Sequence, residues 1–146
     1  MIPGIGNGPL ALDTVVFIYF IEEHPRFLSV LDPIFTAVDE GHLPAVASSL
    51  TLLEVLVVPY RAGNIPLAER YEQVLTRSRG LRLVEIDRAQ LRAAAQLRAL
   101  HSNLRTPDAI QISAALSGGC SALLTNDRDL PAVPGLRILQ LESFAK

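Results

Sequence analysis

Apolar residues in this chain fall into two patterns: short unbroken runs, and longer stretches in which they recur three and four positions apart. The runs at Leu10–Leu12, 43–47, 81–86, Ala122–Thr125 and 136–141 predict buried strands. Helical stretches lie between them. Residues 34–39 make a short helical piece halted at Gly41, and Ser49 and Thr51 offer caps for a helix that carries Glu54 and that Pro59 kinks or shortens. Gly63, Asn64, Ile65 and Pro66 turn the chain into a polar helix over 67–79, and Asp87 caps an alanine- and arginine-rich helix ending near Leu100. In the latter, Leu91, Ala94, Ala95, Leu97 and Ala99 are the expected packed side, with Arg88, Arg92 and Arg98 projecting elsewhere. Thr106 and Pro107 read as the cap and first position of a last helix, apolar nearly all round and stopped by Gly118 and Gly119.

One segment reads two ways. Propensity alone extends the first strand through Val15, Val16, Phe17 and Ile18 to Phe20, whereas Asp13 and Thr14 are helix-capping types and Glu22, Glu23, His24 and Pro25 look like a helix running out before proline. With either reading, short buried strands alternate with helices, which predicts an α/β fold with a central, mainly parallel sheet and helices on both faces.

Composition adds bounds. At 146 residues and 49% hydrophobic, the chain is long and apolar enough to bury a core as one domain. Gly4, Gly6 and Gly8 precede the first strand instead of following it, so residues 1–9 read as a flexible N-terminal extension and not as a phosphate-binding loop. A formal charge of -2 carries no global basic signature, so any nucleic-acid contact has to come from local patches. The single cysteine, Cys120, cannot close an internal disulfide and reads as a small buried hydrophobe in a reducing compartment. Residues 1–9 lack the make-up of a signal peptide, and Ser48, Ser49, Thr51 and Glu54 interrupt the apolar stretch at 43–58, so a cytoplasmic protein with no membrane association is expected.

The chemistry lies in the acids. Asp13 and Asp127 fall at the carboxyl ends of predicted strands, and Glu54 and Asp108 fall in the first turns of helices entered from the same side, the edge where open α/β sheets place ligand sites. Taken alone, Glu54 has a blander reading, because Thr51 to Glu54 has the spacing of a capping box. Several carboxylates at one edge repel and raise one another's pKa unless a cation is present. No Cys/His cluster has zinc spacing, and His24, His42 and His101 are scattered, so a hard ion such as Mg²⁺ or Mn²⁺ suits these oxygen donors best. P-loop, serine-elbow and Cys/His signatures are missing. An acid cluster holding metal suits phosphodiester hydrolysis, in which the ion lowers the pKa of an attacking water.

The segments Leu12-Asp13-Thr14, Leu52-Leu53-Glu54-Val55-Leu56, Thr106-Pro107-Asp108-Ala109 and Leu124-Thr125-Asn126-Asp127 together resemble those of a PIN-domain ribonuclease. Size and the run from Arg98 to Asp129 are similar, more narrowly, to the VapC toxins of type II toxin–antitoxin systems. The resemblance spans residues 10–141 and implies a PIN-like three-layer α/β/α domain over 10–146. It also implies Mg²⁺- or Mn²⁺-dependent endonucleolytic cleavage of RNA, a homodimer, a VapB-like antitoxin partner, and a helix after Asp13. By the same resemblance Asp13, Glu54, Asp108 and Asp127 are catalytic residues and metal ligands, with Asp129 a competing ligand on the loop. Thr14, Thr125 and Asn126 are candidates to hold the carboxylates by hydrogen bonds. With the acids neutralised, the rest of the surface turns mildly basic, and Arg61, Arg98, Arg105 and Arg128 are candidates for phosphate contacts.

Two rival readings remain. A PIN-like module that has lost catalysis and binds RNA or protein is disfavoured by the intact set of acids. A dehalogenase-like or receiver-like phosphoryl-transfer domain lacks its parts: no aspartate follows Asp13 by two positions, and the one lysine is Lys146.

Overall fold

The computed structural model describes residues 8–145, so most of the predicted N-terminal extension lies outside the described residues. Strands β1 (Leu10–Leu12), β2 (Ala45–Ser48), β3 (Leu81–Val84), β4 (Ala122–Thr125) and β5 (Arg137–Gln140) form a single parallel sheet in the order β3-β2-β1-β4-β5. Helices α1 (Thr14–Ile21), α2 (Leu28–Asp39), α3 (Ser49–Arg61), α4 (Ile65–Arg77), α5 (Arg88–Leu100) and α6 (Thr106–Ser117) connect and cover it, and a 3-10 turn, Leu141–Phe144, follows β5.

The central strands are buried on both faces, and their alternating side chains serve two cores. Leu10, Leu12, Ala45, Ala47, Ala122 and Leu124 point into one core with Val16 and Phe17 of α1, Leu31 and Ile34 of α2, Val55 of α3, and Tyr71 and Leu75 of α4. Ala11, Val46 and Leu123 point the other way, against Ala94 of α5 and Ala109, Ile112 and Ala115 of α6. The result is the predicted three-layer α/β/α architecture.

The two-way segment is helix. Asp13 Oδ1 accepts from Thr14 N (2.8 Å) and the Asp13 carbonyl accepts from Val16 N (3.1 Å), so a cap outweighs the β-propensity of a run whose apolar residues pack on more than one side. Two prolines mislead the sequence reading. Helix α2 starts at Leu28 and not near 34, because Pro33 sits inside it; α3 continues past Pro59 to Arg61. In both, a buried stripe keeps the helix together despite one missing donor. Helix α5 is rolled from its expected packed side: Gln90 and Ala94 are buried while Leu91 is 50% exposed. Gln90 is drawn inward because its Nε2 donates to the Glu85 carbonyl. At α6, Arg105 is the N-cap residue and makes no side-chain capping bond; Thr106 is already helical, and Asp108 falls in the first turn as expected.

Strand order fixes where a site can form. Successive crossovers run outward from β1 to β2 and β3, then return to β1's other edge for β4, so the order reverses between β1 and β4. The crevice beyond their carboxyl ends is the topological switch point of an open α/β sheet. Asp13 leaves β1 there, with its N–H on the Leu124 carbonyl of β4 (3.0 Å).

Candidate active site

A cleft of about 300 Å³ opens at this switch point, and Asp13, Glu54, Asp108 and Asp127 all line it, together with Thr14, Val15, Ile18, Tyr19, Arg105, Pro107, Gln111 and Asn126. Each acid arrives on a different element: Asp13 from the β1–α1 junction, Glu54 from α3, Asp108 from the first turn of α6, and Asp127 from the loop after β4. Asp129 is not among the lining residues; its N–H donates to Asp127 Oδ1 (2.9 Å). None of the three histidines reaches the cleft, and Cys120 is buried and unpaired.

Hydrogen bonds hold the carboxylates from behind. Thr125 Oγ1, fully buried at the end of β4, donates to Asp13 Oδ2 (2.7 Å) and accepts from Asp127 N (3.0 Å), so one hydroxyl couples both strand-end acids. Asp127 is tied further by Gln140 Nε2, which donates to its carbonyl (2.9 Å). Glu54 Oε1 accepts from Thr14 Oγ1 (2.7 Å) and from Gln111 Nε2 (3.2 Å). The capping-box reading of Glu54 is therefore corrected: α3 starts earlier than that spacing requires, Ser48 Oγ caps it at Leu50 N (3.1 Å), and Glu54 is left to face α1 and α6. Thr14 and Thr125 thus hold carboxylates, while Asn126 lines the cleft without a hydrogen bond to any of them among the described residues.

The acids sense one another. Burial raises the Asp13 carboxyl above its ordinary pKa; hydrogen bonds from Thr125 and Thr14 act in the opposite sense, and the charges of Asp108 and Glu54 add to the rise. Asp108 is raised likewise, by burial and by the charges of Asp127 and Glu54, with Arg105 opposing through a 3.4 Å contact from Nε to Oδ2. Of the four candidate arginines, Arg105 lines the cleft, whereas Arg98 Nε donates to the Leu104 carbonyl (3.0 Å) and braces the α5–α6 connection. Among the described residues no three His, Cys, Asp or Glu side chains are gathered tightly enough to grip an ion as they stand. The donor set nevertheless fits a hard divalent cation: every donor is oxygen, and the negative charge faces a single cleft-lining arginine.

The model of the PIN domain family matches residues 10–136. The chain belongs to the PIN-domain family. Strand β5 lies beyond the matched segment and completes the PIN sheet at its β4 edge. No curated protein sequence matches the chain significantly. Several solved structures share its fold. VapBC2 from Rickettsia felis, bound to a DNA fragment from its promoter, superposes with a TM-score of 0.71 at 16% identity, covering 90% of this chain and 97% of that one. DNA-bound VapBC from Salmonella typhimurium gives 0.64 at 23% identity over 90% and 97%. VapC20 of Mycobacterium tuberculosis, described as a toxin that cleaves the sarcin-ricin loop, gives 0.67 at 12% identity over 83% and 92%. Among the described residues, no helix of this PIN protein is long and apolar enough to cross a membrane.

Two contributors to the site escape the sequence reading. Gln111 looks like an incidental polar residue in an apolar helix, and Thr51 looks like a cap; both face Glu54's cluster. The available signal is the placement of Gln111 three residues after Asp108, one helical turn along the same face.

Proposed function

We propose that this PIN protein is a divalent-metal-dependent endoribonuclease that acts in the cytoplasm as the toxin of a toxin–antitoxin pair. The observation that carries the reading is the convergence of Asp13, Glu54, Asp108 and Asp127 on the switch-point cleft of a PIN fold. These four would hold Mg²⁺ or Mn²⁺ directly or through water, and Asp129, through its N–H on Asp127, orients that carboxylate. When bound, such an ion supplies a water of lowered pKa and offsets charge on the phosphoryl oxygens.

The chain's own residues supply positioning. Thr125 keeps Asp13 and Asp127 in register, Thr14 and Gln111 fix Glu54, and Arg105, 76% exposed at its side chain, stands at the cleft where it can reach a phosphate oxygen while countering Asp108. The apolar wall of Val15, Ile18 and Tyr19 gives a base or ribose somewhere to lie. A VapB-like antitoxin and a second copy of the chain are the proposed protein partners. Support comes from the fold shared with VapBC complexes and from the exposed Leu53, Val57, Val58, Tyr60 and Ile65 on α3 and α4.

Expression in a bacterial host tests the reading. The wild-type chain should arrest growth, with RNA from arrested cells cut at discrete sites, and Asp108→Asn should abolish both. Arrest and cutting that persist undiminished in Asp108→Asn would remove the acids from the mechanism.

A further inference from the structure

Gln111 is 5% exposed, and its amide joins Thr14 and Thr51 in a cluster that ties together the three helices bearing on Glu54. From α6 its Nε2 lies 3.1 Å from Thr14 Oγ1 of α1, 3.0 Å from Thr51 Oγ1 of α3 and 3.2 Å from Glu54 Oε1. The orientation of the amide is dictated chemically, because an ionised carboxylate only accepts, so the NH₂ must face it. Thr14 spends its hydroxyl proton on Glu54 Oε1 at 2.7 Å, so in the 3.0 Å Thr14–Thr51 contact Thr51 is the donor. Thr51, fully buried, must then be supplied by Gln111. Every proton in the cluster is thus directed, in one to three steps, at a single oxygen, Glu54 Oε1. Oε2 of the same carboxylate has no hydrogen-bond donor among the described residues.

We propose that Gln111 is a positioning residue that fixes Glu54 in a one-oxygen presentation, with Oε1 held by the buried amide–hydroxyl cluster and Oε2 left for a divalent cation in the cleft. The inference rests on the metal-site reading above and deepens it. Partners standing behind a ligand tune metal affinity by holding the ligand's orientation, and their loss costs about 10–100-fold. Gln111→Met keeps length and burial but removes both N–H donors, which leaves Glu54 Oε1 held by Thr14 alone and loosens its orientation.

The test is a two-by-two comparison of Mn²⁺ affinity, by titration calorimetry on the full chain, in wild type, Gln111→Met, Glu54→Gln and the double variant, with melting temperatures of the chelator-treated proteins alongside. Gln111→Met should weaken Mn²⁺ binding at least about tenfold in the wild-type background and less than about twofold once Glu54 is replaced. Gln111→Asn, whose amide stops one methylene short, should show the same coupling to Glu54 if Gln111→Met does not fold. Unchanged Mn²⁺ affinity in a folded Gln111 variant, or an equal loss in both backgrounds, overturns the positioning role while leaving the metal site standing. Wild-type protein that binds no Mn²⁺ overturns both, so the two failures are told apart.

Discussion

At the scale of single residues, the site depends on hydroxyls and amides behind the acids as much as on the acids. Thr125 is the clearest case: Thr125→Val keeps the shape of a fully buried side chain but strips a donor from half-buried Asp13 and an acceptor from the Asp127 N–H. Leaving buried polar groups unpaired costs about 1–3 kcal/mol. A urea titration should show that loss, with Mn²⁺ binding weakened as well; wild-type stability in Thr125→Val would contradict the coupling. A second residue-level prediction concerns Cys120. Burial pushes its thiol from the ordinary 9.0 up to about 11, against a smaller opposing effect of Arg82. A group raised in the folded state contributes stability below its unfolded pKa and loses it as pH climbs through the folded value, so this contribution is intact at neutral pH and fades between 9.0 and about 11. Native protein at about pH 8.5 should therefore resist iodoacetamide and react only after denaturation. Rapid stoichiometric labelling of folded protein would refute the burial. Asp13, Asp108 and Asp127 were legible because strand ends and helix starts are marked in sequence by caps and breaks; Glu54, expected in the first turn of α3, sits in the second, because Ser48 starts that helix earlier. Gln111 and Thr51 were not, because a hydrogen bond between side chains 60 positions apart leaves no local pattern.

At the scale of elements, periodicity found the helices but misled where packing overrode local signals, as in α5, which turns Leu91 outward and Gln90 inward. Helix α1 has apolar residues all round and is decided by the Asp13 cap; α2 and α3 run through Pro33 and Pro59 because their buried stripes outweigh one absent donor. Helix α3 carries the element-scale prediction. Leu53, Val57 and Tyr60 recur at helical spacing on its outer side and are 61%, 40% and 55% exposed, beside Val58 at 66%. If this face joins two copies, Leu53→Glu with Val58→Glu should shift the chain from dimer to monomer in analytical ultracentrifugation without changing its melting temperature extrapolated to low concentration. A wild type that is monomeric at tens of micromolar would end the homodimer proposal.

At the scale of the whole molecule, the strand order β3-β2-β1-β4-β5 brings Asp13 and Asp127 side by side, and the two cores carry α3 and α6 to the same edge with Glu54 and Asp108. That alternation of buried strands and helices was readable directly, whereas the strand order was not, because pairing between strands distant in the chain leaves no local pattern. The central claim is that this edge cuts RNA with a divalent cation held by its carboxylates. The most direct measurement is cleavage of a mixed-sequence single-stranded RNA by purified protein with Mn²⁺, with excess chelator, and with Mn²⁺ restored, for wild type and Asp13→Asn. The account predicts cutting by wild type that stops with chelator and returns with Mn²⁺, and none above background by Asp13→Asn; cleavage that survives chelation, or that Asp13→Asn retains in full, would contradict it.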